Sequence, residues 1–291
     1  MVKLSIIILS YNTKDLTVRC IESLINQYDK QLDSGEFEII LTDNASTDGT
    51  IEKISNLKSY TSNIRIIQNK ENYGFSKGNN IAFKNAKGKY ILFLNSDTQV
   101  KDKGFLDMIN FLNENSQIAV LGARVLNADG SSQPSSGKFY NLFNLFLVLI
   151  GGERLGLVRL KPNKITRVDW VSGVCMMIRF DVFKKIKGFD ENLFMYMDDI
   201  ELCFRVKESG YETYFYPNLN IVHSERGSSD KTFAILNIYK GILYFYKKHK
   251  PLWEYYLVKL LLNIKAITAF VIGTIIGDNY LKKTYKQALK F

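Results

Sequence analysis

The chain has 291 residues, of which 46% are hydrophobic, and a formal net charge of +10. That length and apolar content allow one large domain, or one domain with an appendage, and exclude a disordered chain. The charge sits unevenly: from Lys247 to Phe291 nine lysines face only Glu254 and Asp278, so +7 falls in the last 45 residues and +3 in the first 246, which gives little support to a nucleic-acid binder.

The first 125 residues alternate apolar strands with amphipathic segments. The opening stretch MVKLSIIILSYN has one lysine and a short apolar run that meets Tyr11 and Asn12 at once. A signal peptide needs a longer apolar region and a small-residue cleavage site, so residues 4–10 are expected as a first buried strand. Further strands are expected over 37–43, 64–68, 89–95 and 118–122, and helices over 14–27, 47–57, 76–86 and 103–114. Ser46-Thr47-Asp48 supplies a helix-start signal. Alternation of this kind implies βαβ units and a mostly parallel sheet.

Residues 127–167 break the rhythm. The stretch ADGSSQPSSGK is turn-rich and expected to be mobile, and FYNLFNLFLVLI (139–150) is apolar but too short to span a bilayer as a helix, which needs about 20 residues. Asp169 to Ile178 reads as a strand, and Asp198 to Ser209 as a helix begun by carboxylates, as the helix dipole favours. Two short strands are expected around Pro217, at 213–216 and 219–223. After Thr232 the pattern is helical. Residues 257–277 carry Lys259, Asn263 and Lys265, and the flanking lysines favour a helix lying at an anionic membrane surface over one crossing it. The alternative is a helix pair packed on the main domain. The expected division is therefore a domain over 1–245 and a basic, apolar helical tail over 246–291. Cys20, Cys175 and Cys203 are scattered and odd in number, which fits a reducing compartment.

Four acidic sites fall where strands end or helices begin: Asp43, Asp97, Asp169, and the Asp198-Asp199 pair with Glu201. Each alone could be a cap or a turn. Their recurrence matters because ligands bind at the carboxyl ends of strands in open α/β sheets. Asp97 suits a hard divalent cation, which takes one or two carboxylates plus substrate phosphates. No Walker loop is present, so a phosphate ligand would rely on that cation. Asp198 or Asp199 suits a general base, while Glu201 is expected to pair with Arg205 at i,i+4. His223 closes a short strand, and a lone histidine is more often structural than a ligand. Asn72 to Asn80, NYGFSKGNN, carries two glycines and three amides into a helix, a weak signal for close approach to an anion.

Together these stretches resemble the family 2 glycosyltransferases, which have the GT-A fold. The resemblance covers roughly residues 4 to 230 and rests on SIIILSYN, LTDNASTDGT, NYGFSKGNN, LFLNSD, WVSGVCMMIR, GFDENLFMYMDDIELCFR and VHSERGSS, in that order. It looks most like rhamnosyltransferases of surface polysaccharides, with galactofuranosyl- and glucosyl-transferases similar. It implies an α/β fold, a Rossmann-like mostly parallel sheet flanked by helices with a helical membrane-associating extension. It also implies an inverting transfer that uses Mg²⁺ or Mn²⁺. By resemblance, Asp43 contacts the nucleotide base, and Asn72, Gly74, Asn79 and Ser96 also line the nucleotide site. Asp97 is the surviving acid of the D-x-D metal motif, whose first position here is Asn95, so His223 is expected to join it as a metal ligand. Asp199 matches the catalytic base, and Asp198 stands where the family usually has Glu. Trp170 and Gly173 match the segment near donor sugar and acceptor. The implied partners are a nucleoside-diphosphate sugar (dTDP-rhamnose favoured, a UDP-sugar the alternative), a polyprenyl-diphosphate-linked saccharide and an anionic membrane surface. No nucleic acid is expected. The implied place is the cytoplasmic face of the cell membrane.

Three other classes compete. A nucleotidyltransferase normally has a Gly-rich, basic loop after the first strand, where this chain has SYNTKD. A non-catalytic sugar- or membrane-binding module has little use for a carboxylate pair beside a metal site. A nucleic-acid binder is suggested only by the total charge.

Overall fold

The computed structural model describes residues 1–57, 63–152, 156–224 and 230–291. The first half runs β1 (Leu4–Ser10), α1 (Lys14–Asp33), β2 (Phe37–Asp43), α2 (Thr50–Leu57), β3 (Ile64–Gln68), α3 (Gly74–Phe83), β4 (Tyr90–Asn95), β5 (Thr98–Val100), α4 (Phe105–Glu114) and β6 (Ile118–Leu126). Then come β7 (Ser132–Gln133), β8 (Ser136–Gly137), α5 (Leu142–Leu149), β9 (Arg159–Leu160), β10 (Thr166–Val168), β11 (Trp170–Val171), β12 (Cys175–Arg179) and α6 (Phe180–Lys185). The chain continues through α7 (Asp198–Glu208), β13 (Glu212–His223), α8 (Lys231–His249), α9 (Leu252–Ile275) and α10 (Asn279–Ala288).

The main sheet has the order β10-β13-β6-β12-β4-β1-β2-β3, with β5 on β13 and β7 on β6. Strands β3, β2, β1 and β4 are parallel, and β12 inserts antiparallel between β4 and β6. The fold is thus the mixed, mostly parallel sheet between helices that the alternating pattern implies. Side chains of successive strand residues point to opposite faces. Accordingly Ile7, Ile40 and Phe93 enter one core, while Ile6, Ile8, Leu41 and Leu92 enter the other. Both faces are covered, which is why these strands read as unbroken apolar runs.

Several elements depart from expectation for identifiable reasons. Helix α1 continues past residue 27 because the break at Tyr28 (φ −128°) is a kink. The Tyr28 hydroxyl bonds the Asp102 carbonyl and the Phe105 amide at 3.2 and 3.0 Å, so the chain resumes its helix and buries Leu32. The two strands expected around Pro217 are one strand, β13, whose register against β6 slips between Tyr216 and Asn220. Proline cannot donate to a ladder, so pairing skips it. The segment expected to be mobile instead contributes β7 to the main sheet and β8 to a small second sheet of order β11-β8-β9.

Helix α8 runs unbroken across residue 245, and its Tyr239, Ile242, Phe245 and Tyr246 are buried in the same core as Leu202 and Val206 of α7. Helix α9 buries Val258, Leu262 and Ala266 but exposes Leu252, Trp253, Tyr256, Leu260, Ile264 and Ile267. Among the described residues α9 is the one helix long and apolar enough to cross a membrane, by length and composition alone.

Candidate active site

Strand register builds the site. Ser10 pairs with Asp43 and Leu9 with Asn95, so β1, β2 and β4 end on polar residues at one edge of the sheet. The chain runs from β1 outward through β2 to β3, then returns to β4 on the other side of β1. That reversal opens the crevice in which open α/β sheets bind ligands.

Asp97 lies just past β4, between Asn95 and β5. Strand β5 pairs antiparallel with the end of β13, Thr98 opposite His223, which brings His223 Nε2 to 3.2 Å from Asp97 Oδ1. Gln133 of β7 lies behind the ring, with its Oε1 3.1 Å from His223 Nδ1. The amide end of Gln133 is committed elsewhere, since its Nε2 donates to Asn127 Oδ1 at 2.6 Å and to the His223 carbonyl at 3.4 Å. Gln133 therefore offers an acceptor to Nδ1, which donates to it in the tautomer protonated there. In a neutral ring that leaves a bare Nε2 lone pair facing a carboxylate, two acceptors turned toward the same point. One carboxylate and one imidazole, oriented from behind by a hydrogen bond, is a donor set that fits a divalent cation sharing diphosphate oxygens. Among the described residues no group of three or more His, Cys, Asp or Glu side chains gathers, so the remaining ligands would be substrate oxygens and water.

Beside this pair, Ser96 Oγ is 3.2 Å from Thr13 Oγ1 at the mouth of β1. Asp43 is buried, taking hydrogen bonds from Ser10 Oγ at 2.9 Å and Ser46 N at 2.8 Å. Those bonds shape the loop after β2. Asp48 then caps two helices, accepting from Lys14 N at 2.8 Å and from Thr50 N at 3.1 Å. Asn72 Oδ1 accepts from Gly74 N at 3.0 Å and from Asn44 Nδ2 at 3.1 Å. Gly74 has φ +75°, and a Cβ there would stand 2.3 Å from the Phe194 carbonyl oxygen, so only glycine fits. Asn79 is buried and donates to the Phe75 carbonyl at 3.0 Å.

Asp198 and Asp199 open α7. Asp199 Oδ2 accepts from Gly173 N at 3.3 Å, while the neighbouring Val174 carbonyl accepts from Asn95 N at 3.0 Å. The loop 172–174 thus ties the start of α7 to the end of β4, two residues from Asp97. Burial pushes the Asp199 carboxyl upward, opposed by amides of Gly173 and Ile200 and by the Arg159 guanidinium. Burial pushes Asp198 up further, and the Asp199 charge adds to it. Glu201 behaves oppositely. Burial raises it, but hydrogen bonds from His249, Arg205 and Lys248 overcome that and hold it down at about 2. The expected i,i+4 pair is present, with Arg205 Nη2 2.7 Å from Glu201 Oε2. That leaves the two aspartates as the carboxylates at the start of α7 that burial pushes upward.

Trp170 is buried, its indole N–H donating to the Lys138 carbonyl at 3.1 Å and its ring lying over Gly137 of the second sheet. Gly173 is the part of that segment in contact with Asp199. Asp169 accepts from Phe139 N at 2.9 Å and serves the second sheet. In the motif VHSERGSS, residues 225–229 lie outside the described residues. The sequence reading missed Gln133, Thr13 and Arg159. Nothing in a turn-rich run marks Gln133, and only the pairing of β7 with β6 reveals it.

The family described as "Glycosyl transferase family 2" matches residues 5–187. The rhamnosyltransferase WbbL of Escherichia coli (strain K12) is 30% identical over 161 residues, 52% of this chain and 61% of that protein. The N-acetylglucosaminyl-diphospho-decaprenol L-rhamnosyltransferase of Mycobacterium tuberculosis is 24% identical over 213 residues, 66% of this chain and 68% of that protein. The chain thus spans about three-fifths of the length of the first of these relatives. Among solved structures, the mannosyltransferase PcManGT from Pyrobaculum calidifontis with GDP-Man and Mn²⁺ superposes with a TM-score of 0.60 at 14% identity, over 99% of this chain and 86% of that one. GalNAc-T7 with UDP, GalNAc and Mn²⁺ gives 0.62 at 17% identity, over 83% of this chain and 48% of that one. At such identities the two structures speak for the fold.

Proposed function

The chain belongs to family 2 of the glycosyltransferases, and from that premise we propose that it moves a hexose, with inversion, from a nucleoside-diphosphate donor to a lipid-linked saccharide in surface-glycan synthesis. The observation that carries this reading is the tie between the two carboxylate centres: Asn95 bonds Val174, and Gly173 bonds Asp199. A diphosphate at Asp97 and a hydroxyl at Asp199 would then flank one anomeric carbon.

Asp199 takes the proton of the acceptor hydroxyl as its oxygen bonds to the anomeric carbon. The bond from that carbon to the diphosphate oxygen breaks, and its electron pair leaves with the nucleoside diphosphate. Burial raises the Asp199 carboxylate while the Gly173 and Ile200 amides and Arg159 favour its charged form, the form a base needs. Asp97 and His223 would hold Mn²⁺ or Mg²⁺, which when bound offsets charge on the leaving diphosphate. In this reading Asp43, Asn72, Gly74, Asn79 and Ser96 shape the nucleotide side of the crevice, and Trp170 and Gly173 the sugar side.

Rhamnose as the sugar is supported by the two rhamnosyltransferase relatives and a polyprenyl-linked acceptor by the name of the mycobacterial one, while dTDP as the carrier rests on the family resemblance. UDP-sugars remain the second reading, supported by the UDP of GalNAc-T7. A membrane-held acceptor also accords with the exposed apolar residues of α9 and with Phe143, Phe146 and Ile150 on or next to α5. The experiment is nucleotide release from dTDP-rhamnose, UDP-galactofuranose and UDP-glucose, with Mn²⁺ or chelator and with lipid-linked acceptor. Release from one donor that needs metal and is lost in Asp97→Ala supports the reading, and metal-independent release overturns the metal role.

A further inference from the structure

Two consecutive residues without glycine's freedom, Tyr196 (φ +68°) and Met197 (φ +64°), adopt left-handed backbone immediately before Asp198. Each such residue is strained and persists only where neighbours impose it. The turn has no glycine or asparagine of its own, so the restraint is tertiary.

Helix α8 supplies it along one face. Gly241 packs against the turn so closely that a Cβ would stand 2.8 Å from Met197 Cβ and 3.4 Å from the Tyr196 carbonyl oxygen. Toward the helix start, the Phe233 ring meets the Phe194 ring edge-on at 6.0 Å between centroids. Toward its end, the Tyr244 hydroxyl donates to Asp190 Oδ2 at 2.7 Å, and Lys248 Nζ bridges Asp190 Oδ2 at 2.5 Å and Glu201 Oε1 at 2.7 Å. His249 Nε2 lies 3.0 Å from the same Glu201 oxygen. Contacts at 233, 241, 244 and 248 recur at helical spacing, so one face of α8 grips the whole segment from Asp190 to Glu201. Opposite α8, the Phe194 carbonyl accepts from Phe75 N at 2.6 Å, and Gly173 reaches Asp199.

We propose that α8 is a positioning element of the catalytic centre, in which Gly241, Tyr244 and Lys248 impose the Tyr196–Met197 turn and thereby aim Asp199. The inference rests on the reading of Asp199 as the base. None of these α8 residues touches substrate in this scheme. They fix the direction in which α7 begins.

The test uses the full chain and the donor that wild type turns over, from dTDP-rhamnose, UDP-galactofuranose and UDP-glucose with Mn²⁺. Gly241→Ala, Tyr244→Phe, Lys248→Met and Asp199→Asn are compared by kcat, KM, pH–rate profile and UDP or dTDP affinity by calorimetry. Gly241→Ala should lower kcat by about 10²-fold, the scale of an ångström's misplacement. It should also move the acidic limb of the profile, while nucleotide affinity stays within about twofold. Tyr244→Phe, which loses only a hydroxyl, should show the same split more weakly, and it carries the test if Gly241→Ala does not fold. A folded Gly241→Ala, or failing that Tyr244→Phe, with wild-type kcat and profile beside an inactive Asp199→Asn overturns the positioning role. Full transfer by Asp199→Asn overturns the base reading itself, whatever the α8 variants do.

Discussion

Gln133 Oε1 lies 3.1 Å from His223 Nδ1, and this contact turns Nε2 toward Asp97. A hydrogen bond behind a metal-binding imidazole fixes its tautomer and orientation. Gln133→Ala should therefore raise the Mn²⁺ concentration for half-maximal nucleotide release by about 10- to 100-fold. The maximal rate at saturating Mn²⁺ should largely recover. An unchanged Mn²⁺ titration would separate Gln133 from the metal pair.

Asp198 and Asp199 should separate by substitution. Asp199→Asn removes the proton acceptor and should cost about 10²- to 10⁴-fold in transfer, the range for general-base catalysis. Asp198 is different, because its folded-state value lies above its unfolded one, with burial the first cause and the Asp199 charge next. Such a group contributes stability that is fully present below the unfolded value and lost as pH rises through the folded one. Asp198→Asn should accordingly gain stability relative to wild type at neutral pH and lose that advantage below about pH 4. Urea unfolding of both proteins at the two pH values reads this directly.

Glu201 has the reverse sign. Its value falls from 4.5 to about 2 because His249, Arg205 and Lys248 outweigh burial. Its contribution is present above about pH 4.5 and lost as pH falls toward 2, on the order of 3 kcal/mol in all. Glu201→Gln should be the less stable protein at pH 7, since Arg205 loses its carboxylate partner and Lys248 keeps only Asp190. The gap to wild type should close through that acid window. A constant gap would mean that Glu201 contributes shape and not charge.

Gly74→Ala meets two penalties at once, a positive φ and a Cβ 2.3 Å from the Phe194 carbonyl oxygen. A loss of about 2–4 kcal/mol in unfolding free energy is expected, as strain and displaced backbone add. Nucleotide affinity should fall with it, because Gly74 N also holds Asn72.

The membrane reading is better tested on the surface of α9 than by cutting the chain near Tyr246. A cut there removes Lys248 and His249 from Glu201. Replacing Trp253, Leu260 and Ile267, all more than half exposed, with Glu leaves the packed face intact. If α9 meets a membrane, co-sedimentation with anionic vesicles should drop sharply and transfer to a soluble acceptor should not. Equal sedimentation of the variant and wild type would remove α9 from membrane binding.

Much of the sheet was legible because its strands are buried on both faces and end abruptly on polar residues. β1, β2 and β4 announce Ser10, Asp43 and Asn95 in this way. Asp97 and Asp199 were legible as residues but not as neighbours, since the link through Val174 and Gly173 depends on where β12 inserts. Gln133 and Arg159 were invisible, lying in two-residue strands with no apolar period. The Tyr196–Met197 turn was hidden for another reason. Local propensity argues against it, and only packing from a helix far along the chain imposes it.

The insertion of β13 beside β6 also sets a timetable. A chain emerging from the ribosome at roughly 5–20 residues per second can lay down β1 to β4 early, and Asp97 with them. His223 arrives only with the last strand, and the α8 clamp on Asp190 and Glu201 only after that. A nascent chain can thus hold the β1–β4 edge with Asp43 and Asp97 before it holds His223 or the packing of α8 on the start of α7. The arrangement around Asp97 and Asp199 would accordingly be completed only once α8 has been made.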